Sequence, residues 1–393
     1  MYRPSPYESL QTLYSTDREL SPKERLSSAY APLLSWYRKN KRDLPWRGTT
    51  DAYRIWISEI MLQQTRVEAV KPYYFRFMEH FPTVEALADA PEEELLKCWE
   101  GLGYYSRARN LKKAAEIITE QYGGKLPASR EALLSLPGIG SYTAGAIASI
   151  AYGIPAPAVD GNVLRVLSRV TGSREDILKQ SVKRKMEELV LTVIREGEAG
   201  DFNQALIETG AVICVPNGEP LCGECPFYTV CAACAQGLTG EIPVKSPKKK
   251  RKIEEKTVLL LEYREKIAIR KRKDDGLLAS LYEFINLPGK LSGKEATALA
   301  GEKAIIRKLP DAKHIFSHTE WHMNGYLILA DELAEEDLDG LLARCGQDDT
   351  PVLFVNLEEL KETYPIPNAF MAYKKYLEQQ YGGDALEKHD ISV

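Results

Sequence analysis

The sequence lacks a long hydrophobic run. No apolar stretch in its 393 residues approaches the roughly 20 residues of a membrane-spanning helix. The N-terminal MYRPSPYESL contains no apolar segment of the kind found in secretory signal peptides. We therefore expect a soluble, cytoplasmic protein that is not secreted. The hydrophobic content of 44% still suffices for ordinary cores, and the length predicts more than one domain.

The sequence also lacks a strong charge of either sign. The formal net charge of −4 argues against a protein that coats nucleic acid, so any DNA contact must come from local basic patches and backbone donors. The densest basic run, KSPKKKRKIEEK over residues 245–256, marks the sharpest change in composition and predicts an interdomain linker. A nuclear-import signal is the weaker interpretation, because such short matches often arise by accident.

The cysteines are too unevenly spread for a disulfide framework. Five of the seven fall between Cys214 and Cys234, which favours a metal site in a reducing compartment over a set of buried small hydrophobes. Thiolates brought this close repel one another and need a metal to compensate. Spacing alone permits tetrahedral zinc or a [4Fe-4S] cluster. The predicted ligands are Cys214, Cys222, Cys225 and Cys231, with Cys234 as the alternative fourth ligand.

Alternating strand patterns are missing before about residue 213. Apolar residues recur at helical steps from Ser21-Pro22 onwards, which predicts an all-α region. Beyond the linker, VLLLEY, KIAIRKR, YLILA and VLFVNL are rich in β-formers and predict an α+β region. The expected organisation is a loose arm (1–22), a helical domain (23–237), a linker (238–256), an α+β domain (257–380) and a tail (381–393).

Two carboxylates and a glycine pair are the candidate functional residues of the helical region. Gly138 and Gly140 precede a helix-forming run, where backbone N–H groups can approach a phosphate. Asp160 follows at a turn, where it either acts in a reaction or caps the next helix. Glu59 lies on or beside an apolar helix face, so desolvation would raise its pKa and suit it to general-acid catalysis. An ion pair with Arg54 or Arg66 is the alternative role for Glu59.

Several long motifs in one order carry a specific resemblance. Residues 23–237 resemble the helix-hairpin-helix DNA glycosylases, and the MutY-type adenine DNA glycosylases in particular. The second half resembles that family's Nudix-like C-terminal domain in DGLLASLYEF and HIFSHTEWHMNGY. The motifs of the first half are LPWR (44–47), SEIMLQQT (58–65), GLGYYSRARNL (101–111), LPGIGSYTAGAIAS (136–149) and AVDGNVLRVLSR (158–169).

The resemblance implies a monomeric, bacterial-type enzyme that binds double-stranded DNA and excises adenine mispaired with 8-oxoguanine or guanine. Such an enzyme must flip the adenine out of the duplex. Glu59 falls where the family's general acid protonates the base, and Asp160 where a carboxylate stabilises the oxocarbenium-like sugar. By the same match Tyr142 and Asn162 would support the sugar and Asp160. Arg47 would line the adenine pocket, and the residues filling the hole in the duplex would be Gln64, Thr65 and Tyr104.

Tyr142 and the spacing of the cysteines refine that expectation. Related glycosylases that also cut the strand carry a lysine where this sequence has Tyr142, and a phenol cannot form a Schiff base. The resemblance therefore implies a monofunctional glycosylase. The family spaces its cluster cysteines with six, two and five intervening residues, whereas seven separate Cys214 from Cys222. A one-residue insertion at Asn217-Gly218 would absorb the difference, so the resemblance implies [4Fe-4S], with zinc as the alternative.

The Nudix resemblance raises nucleotide hydrolysis as a second activity. A Nudix box needs acidic residues to hold magnesium, but aligning Gly289 and Glu295 with its start places Ala304, Arg307 and Lys308 at the acidic positions. We therefore expect a reader of 8-oxoguanine, or else a strand–loop packing role for the same segment. The candidate contacts are Ser317 and His318, with Tyr282 as a weaker one. The competing hypotheses are a glycosylase-lyase for oxidised pyrimidines, a non-catalytic iron–sulfur DNA-binding or redox-sensing protein, and a Nudix hydrolase.

Overall fold

A computed structural model describes residues 19–247, 250–345 and 350–381 of the chain. The predicted arm therefore lies outside the described residues up to position 18, and the predicted tail lies outside them from position 382. Helices account for the regular structure of the described residues before position 250, as predicted. They are α1 (Pro22–Ser28), α2 (Tyr30–Asn40), α3 (Ala52–Leu62), α4 (Val67–His80), α5 (Val84–Asp89), α6 (Glu92–Cys98), α7 (Ser106–Tyr122), α8 (Arg130–Leu134), α9 (Ser141–Tyr152), α10 (Gly161–Thr171), α11 (Gln180–Leu191), α12 (Ala199–Val212) and α13 (Ala232–Ala235).

The described residues from position 250 onwards form both strands and helices. The elements are β1 (Lys252–Tyr263), β2 (Lys266–Lys271), β3 (Tyr282–Pro288), α14 (Gly293–Ala300), β4 (Ile305–Ile315), β5 (Thr319–Leu329), α15 (Glu335–Cys345), β6 (Val352–Val355), α16 (Leu357–Glu362) and α17 (Met371–Tyr381). The organisation expected from the sequence is found: a helical region is followed by an α+β region. Among the described residues, no helix has the length and apolar character needed to cross a bilayer.

The chain forms two compact units, and each unit combines two segments. Unit 1 comprises residues 1–63 and 120–247, and unit 2 comprises residues 64–119 and 248–393. Helices α4 to α6 and most of α7 therefore belong to the same unit as the sheet. The bounds of a 23–237 helical domain and a 257–380 α+β domain stay a prediction.

Unit 1 is built around a helical core. Side chains of α1, α2, α10 and α12 fill it, including the fully buried Leu26, Leu33, Val163 and Phe202. Helix α3 packs against α9, and most of its side chains are buried, as expected for a helix that is apolar on nearly all sides. Asp51 caps α3 by accepting hydrogen bonds from the N–H groups of Tyr53 and Arg54.

Unit 2 contains a mixed sheet with strand order β4-β5-β1-β3-β2-β6. The pairing of β1 with β5 is parallel and the other pairings are antiparallel. Val258 and Leu260 enter one core and Leu259 and Leu261 enter the other, so β1 is buried on both faces. This explains why the four residues 258–261 of β1 are all apolar. Pro310 lies in edge strand β4, where the register shifts between Leu309 and Ala312.

Candidate catalytic, metal and DNA-contact sites

Glu59 is buried inside unit 1. It lies on α3 with 8% of its surface exposed, and its Oε2 accepts a hydrogen bond of 2.7 Å from the Tyr142 hydroxyl. Burial raises the pKa of Glu59 to about 7; the Tyr142 hydrogen bond opposes this shift, and the charge of Asp160 adds to it. A carboxyl with that pKa holds a proton in a large fraction of molecules at neutral pH. Arg54, the alternative partner expected from the sequence, pairs with Asp51 instead.

Tyr142 is the second residue of α9 and orients the Glu59 carboxyl. Burial, followed by the charges of Glu59 and Asp160, raises the pKa of Tyr142 well above its ordinary value. The phenol therefore stays protonated and remains a hydrogen-bond donor. Tyr142 lies on α9 and Glu59 on α3. Because these two helices pack against each other, their packing holds the two side chains within hydrogen-bond distance.

Asp160 occupies the N-cap position of α10. Its Oδ1 accepts a bond of 2.8 Å from the Val163 N–H, and its Oδ2 accepts one of 2.9 Å from the Asn162 side chain. Burial raises the pKa of Asp160, and these two hydrogen bonds oppose the shift. The capping role is thus real, but it uses one oxygen and does not preclude a chemical role. Glu59 has one donor on its carboxylate and Asp160 has two, so their environments differ.

Arg165 links the Asp160 turn to the cysteine loop. Its Nη2 donates to Asn162 Oδ1 at 3.0 Å and to the Gly210 carbonyl at 2.7 Å. Its Nε donates to the Cys214 carbonyl at 2.7 Å. The guanidinium is 4% exposed. Asp160, Asn162, Arg165 and the Cys214 backbone therefore form one continuous chain of hydrogen bonds.

Arg47 is held by a carboxylate that the sequence analysis missed. Glu208 on α12 is fully buried and accepts bonds from Arg47 Nη2 at 2.5 Å and from Arg42 Nε at 2.8 Å. Burial by itself would raise the pKa of Glu208, but the bonds from Arg42 and Arg47 outweigh it and lower the pKa to about 2. The available signal was a single carboxylate within the largely apolar run ALIETGAVI.

The glycine pair lies at the start of α9. Gly138 has a φ of 78°, which favours glycine on conformational grounds. Gly140 has an ordinary φ of −92°, and no atom lies within 4 Å of a Cβ built on it. The second glycine is therefore needed neither for the backbone nor for packing within unit 1. It leaves open space beside a helix N-terminus that has no side-chain cap.

The clustered cysteines line one pocket of unit 1. Burial, followed by the charge of the Cys234 thiolate, raises the pKa of Cys222 to about 11. Arg169 is buried beside them, and its Nη1 donates to Cys214 Sγ at 3.3 Å. A donor set made entirely of sulfur, with a cation bonded to one member, fits an iron–sulfur cluster. Within the described ranges, no group of three or more His, Cys, Asp or Glu side chains is arranged to hold a metal ion.

A cleft of about 560 Å³ lies within unit 2. Three predicted site residues line it, namely Tyr104, Ser317 and His318. Ser317 and His318 are exposed, and the Tyr104 hydroxyl lies 3.4 Å from Ser317 Oγ. The cleft therefore joins the loop before α7 to the loop between β4 and β5.

Gln64 and Thr65 belong to the same unit. Gln64 and Tyr104 both adopt left-handed backbone conformations, with φ values of 59° and 49°, which are strained for residues other than glycine. Arg107 Nη2 lies 3.4 Å from Thr65 Oγ1 and donates to the carbonyls of Leu102 and Gly103. Its guanidinium also lies 5.6 Å from the centre of the Tyr104 ring. The buried Arg107 guanidinium therefore contacts both Thr65 and the loop that carries Tyr104.

Tyr282 lies outside the lining of this cleft. It is 5% exposed and donates a bond of 3.0 Å to Glu93, which leaves it a packing role in this structure. The positions aligned with the Nudix acids also differ from a helical box. Helix α14 ends at Ala300, and Arg307 and Lys308 lie in β4, where Lys308 pairs with Asp311.

Comparisons with known proteins confirm the fold class expected from the sequence, a helix-hairpin-helix region followed by a Nudix-like region. Residues 57–191 match the HhH-GPD superfamily of base excision DNA repair proteins, and residues 257–378 match the NUDIX domain. An adenine DNA glycosylase of Buchnera aphidicola subsp. Baizongia pistaciae (strain Bp) is 35% identical over 78% of this chain and 87% of its own length. One from Rattus norvegicus is 45% identical over 54% of this chain and 43% of its own length, so the chain spans less than half of that relative. The solved structure of a thermostable thymine-DNA glycosylase aligns with 54% of this chain and 97% of its own, at 32% identity and a TM-score of 0.49.

Proposed function

The chain belongs to the family of adenine DNA glycosylases, and we propose that it hydrolyses the N-glycosidic bond of adenine mispaired with 8-oxoguanine or guanine in double-stranded DNA. The observation that carries the proposal is the Glu59–Tyr142 hydrogen bond beside Asp160. In this arrangement the Glu59 carboxyl holds a proton near neutral pH. The Asp160 carboxyl accepts two hydrogen bonds.

The adenine must leave the duplex before these groups can reach it. Glu59 then protonates the flipped base and makes it a leaving group. Asp160, oriented by Asn162, stabilises the positive charge that develops on the sugar as the bond to adenine breaks. Water then adds to the sugar carbon and loses a proton to solvent, which leaves an abasic site and free adenine. Tyr142 orients Glu59, and Glu208 fixes Arg47 where it would line the adenine pocket. The absence of a lysine amine at position 142 supports a monofunctional reaction without a Schiff base.

The DNA partner is held by backbone and side-chain donors. The uncapped start of α9, with open space at Gly140, supports phosphate binding there together with Gly138. In unit 2, Gln64, Thr65 and Tyr104 fill the space left by the adenine, and Ser317 and His318 contact the 8-oxoguanine from the cleft. Contacts made by backbone N–H groups and uncharged polar side chains fit a chain whose net charge is slightly negative.

A [4Fe-4S] cluster on Cys214, Cys222, Cys225 and Cys231 is the proposed cofactor, with zinc as the alternative. The group supplies a rigid cross-link of residues 214–231. Through Arg165, this loop is hydrogen-bonded to the turn that carries Asp160.

Single-turnover adenine release from an 8-oxoguanine:A duplex tests the proposal. We expect release by the unmodified protein and none above background by Asp160→Asn, with normal DNA binding by the variant. If the unmodified protein releases no adenine, the proposal is wrong, and a non-catalytic iron–sulfur DNA-binding protein becomes the better account. Efficient borohydride trapping would instead indicate a glycosylase-lyase.

A further inference from the structure

The loop of residues 99–105, here called the Tyr104 loop, lies between α6 and α7 in unit 2. Gly101, Gly103 and Tyr104 have φ values of 102°, 70° and 49°. A non-glycine residue in this conformation persists only where the surroundings hold it. Local bonds contribute, since Trp99 Nε1 donates to the Gly103 carbonyl at 3.1 Å. The Glu100 N–H also donates to the Lys97 carbonyl, and the Leu102 N–H donates to the Trp99 carbonyl. Further partners bind the Glu100 side chain and the Gly101 carbonyl.

The first residues of the loop are bound by the C-terminal helices. The Glu100 carboxylate lies between two lysines, with Lys97 Nζ at 2.6 Å from Oε2 and Lys374 Nζ at 2.5 Å from Oε1. At the next position, Asn368 Nδ2 donates to the Gly101 carbonyl at 2.9 Å. Lys374 and Asn368 are therefore two long-range anchors of the loop, in addition to the contact of Tyr104 with Ser317.

Burial distinguishes the Glu100–Lys374 ion pair from exposed ion pairs of the same unit. The Lys374 side chain is 8% exposed and that of Glu100 is 12% exposed. Lys97 is further satisfied by the Tyr364 carbonyl at 3.1 Å. A buried pair loses far more when one partner is removed than an exposed pair does. The Lys271–Glu93 pair of the same unit, with both side chains more than 40% exposed, is expected to contribute little.

We propose that Lys374 and Asn368 are positioning residues of the excision reaction, which hold the Tyr104 loop in the conformation that enters the duplex. This inference rests on the proposed function, since it takes Tyr104 as the residue that fills the space left by adenine. Neither anchor lies in the 314–318 segment. Lys374 lies outside the lining of the unit 2 cleft, whereas Asn368 belongs to it. Through Lys374, the C-terminal region therefore supports base flipping opposite guanine and 8-oxoguanine alike.

The test uses Lys374→Met and Asn368→Ala in the full chain, with Lys374→Arg as the conservative replacement. Lys375→Met is the matched control, because Lys375 is the exposed neighbour on the same helix. Amide hydrogen exchange of residues 99–105 is measured in the free protein. Base flipping is followed by the fluorescence of 2-aminopurine next to the target adenine, and single-turnover release is measured on G:A and 8-oxoguanine:A duplexes.

We expect faster exchange in the Tyr104 loop, slower flipping and an about tenfold loss of rate on both duplexes for Lys374→Met. Asn368→Ala should show the same pattern with a smaller loss, Lys374→Arg should recover most of the rate, and Lys375→Met should behave as the unmodified protein. Unchanged loop exchange, unchanged flipping, or a loss confined to 8-oxoguanine:A would overturn the inference. The exchange measurement needs no substrate, so failure of the anchor is distinguishable from failure of the proposed function.

Discussion

The carboxyls of unit 1 and the polar side chains of the unit 2 cleft lie in opposite surroundings. Glu59 is 8% exposed and Glu208 is fully buried, and each has a strongly shifted pKa. Ser317 and His318 are exposed at the edge of an open cleft. Burial changes protonation and so suits unit 1 to chemistry, whereas exposed donors and acceptors exchange water for a ligand at small cost and suit unit 2 to recognition.

Glu59→Gln is expected to have the largest effect of the substitutions that probe this contrast. It should lower the single-turnover rate by about 10²- to 10⁴-fold, because the amide cannot donate a proton to the base. The unmodified rate should be highest below about pH 7 and fall above it, since the carboxyl is lost as a proton donor through its pKa of about 7. Rate against pH measures both.

Glu188→Gln, at an exposed position of α11, is the control for Glu59→Gln. Its rate and pH profile should match those of the unmodified protein. A pH limb near 7 that survives in Glu59→Gln would assign the titration to another group.

Glu208→Gln should mainly lower stability. Removing one charge of a buried ion-pair group costs about 3–5 kcal/mol in the free energy of unfolding. Asp201→Asn on the same helix breaks an exposed pair with Arg38 and should cost less than about 1 kcal/mol. Denaturant unfolding compares the two variants, and equal losses would contradict the burial argument.

The same carboxylate predicts how stability depends on pH. The folded-state pKa of Glu208 is lowered from 4.5 to about 2, so its contribution is present above about pH 4.5. That contribution is lost as the pH falls from there towards 2. Glu208→Gln should remove this part of the acid sensitivity.

Ser317→Ala combined with His318→Ala should have a smaller and more selective effect. We expect the preference for 8-oxoguanine:A over G:A to fall by about tenfold, the value of one or two hydrogen bonds. The G:A rate of the same variant is its internal control. Unchanged discrimination would mean that this segment has a packing role.

Cys234→Ser should have the smallest effect. The iron and sulfide content of anaerobically purified protein should match that of the unmodified chain, whereas Cys231→Ser should lose both. The reverse pattern would make Cys234 the fourth ligand. Zinc without iron in the unmodified protein would replace the cluster with the alternative metal.

Local sequence patterns predicted the features that depend on neighbouring residues. The apolar spacing around Glu59 indicated a buried helix, and the β-rich runs correctly located β1, β2, β5 and β6. Strands β3 and β4 were missed. Pro310 and the shift of register interrupt the pattern of β4, and polar Glu283 and Asn286 interrupt that of β3.

Partners that are distant in sequence could not be predicted. Glu208 meets Arg47 across 161 positions, and Tyr104 meets Ser317 across 213. No periodicity encodes such contacts, because they arise only when the helices and loops have packed. The Glu100–Lys374 pair, 274 positions apart, is of the same kind.

The burial of Glu59 also has a thermodynamic consequence for the whole fold. Its pKa of about 7 in the folded state exceeds the ordinary value of 4.5, so the folded chain binds a proton more tightly than the unfolded chain. Its contribution to stability is complete below about pH 4.5 and is lost as the pH rises through 7, by roughly 3 kcal/mol in total. An apolar residue of similar size would remove this penalty along with the proton donor. At neutral pH and above, buried Glu59 therefore lowers the free energy of unfolding. Selection for thermal stability alone would replace it.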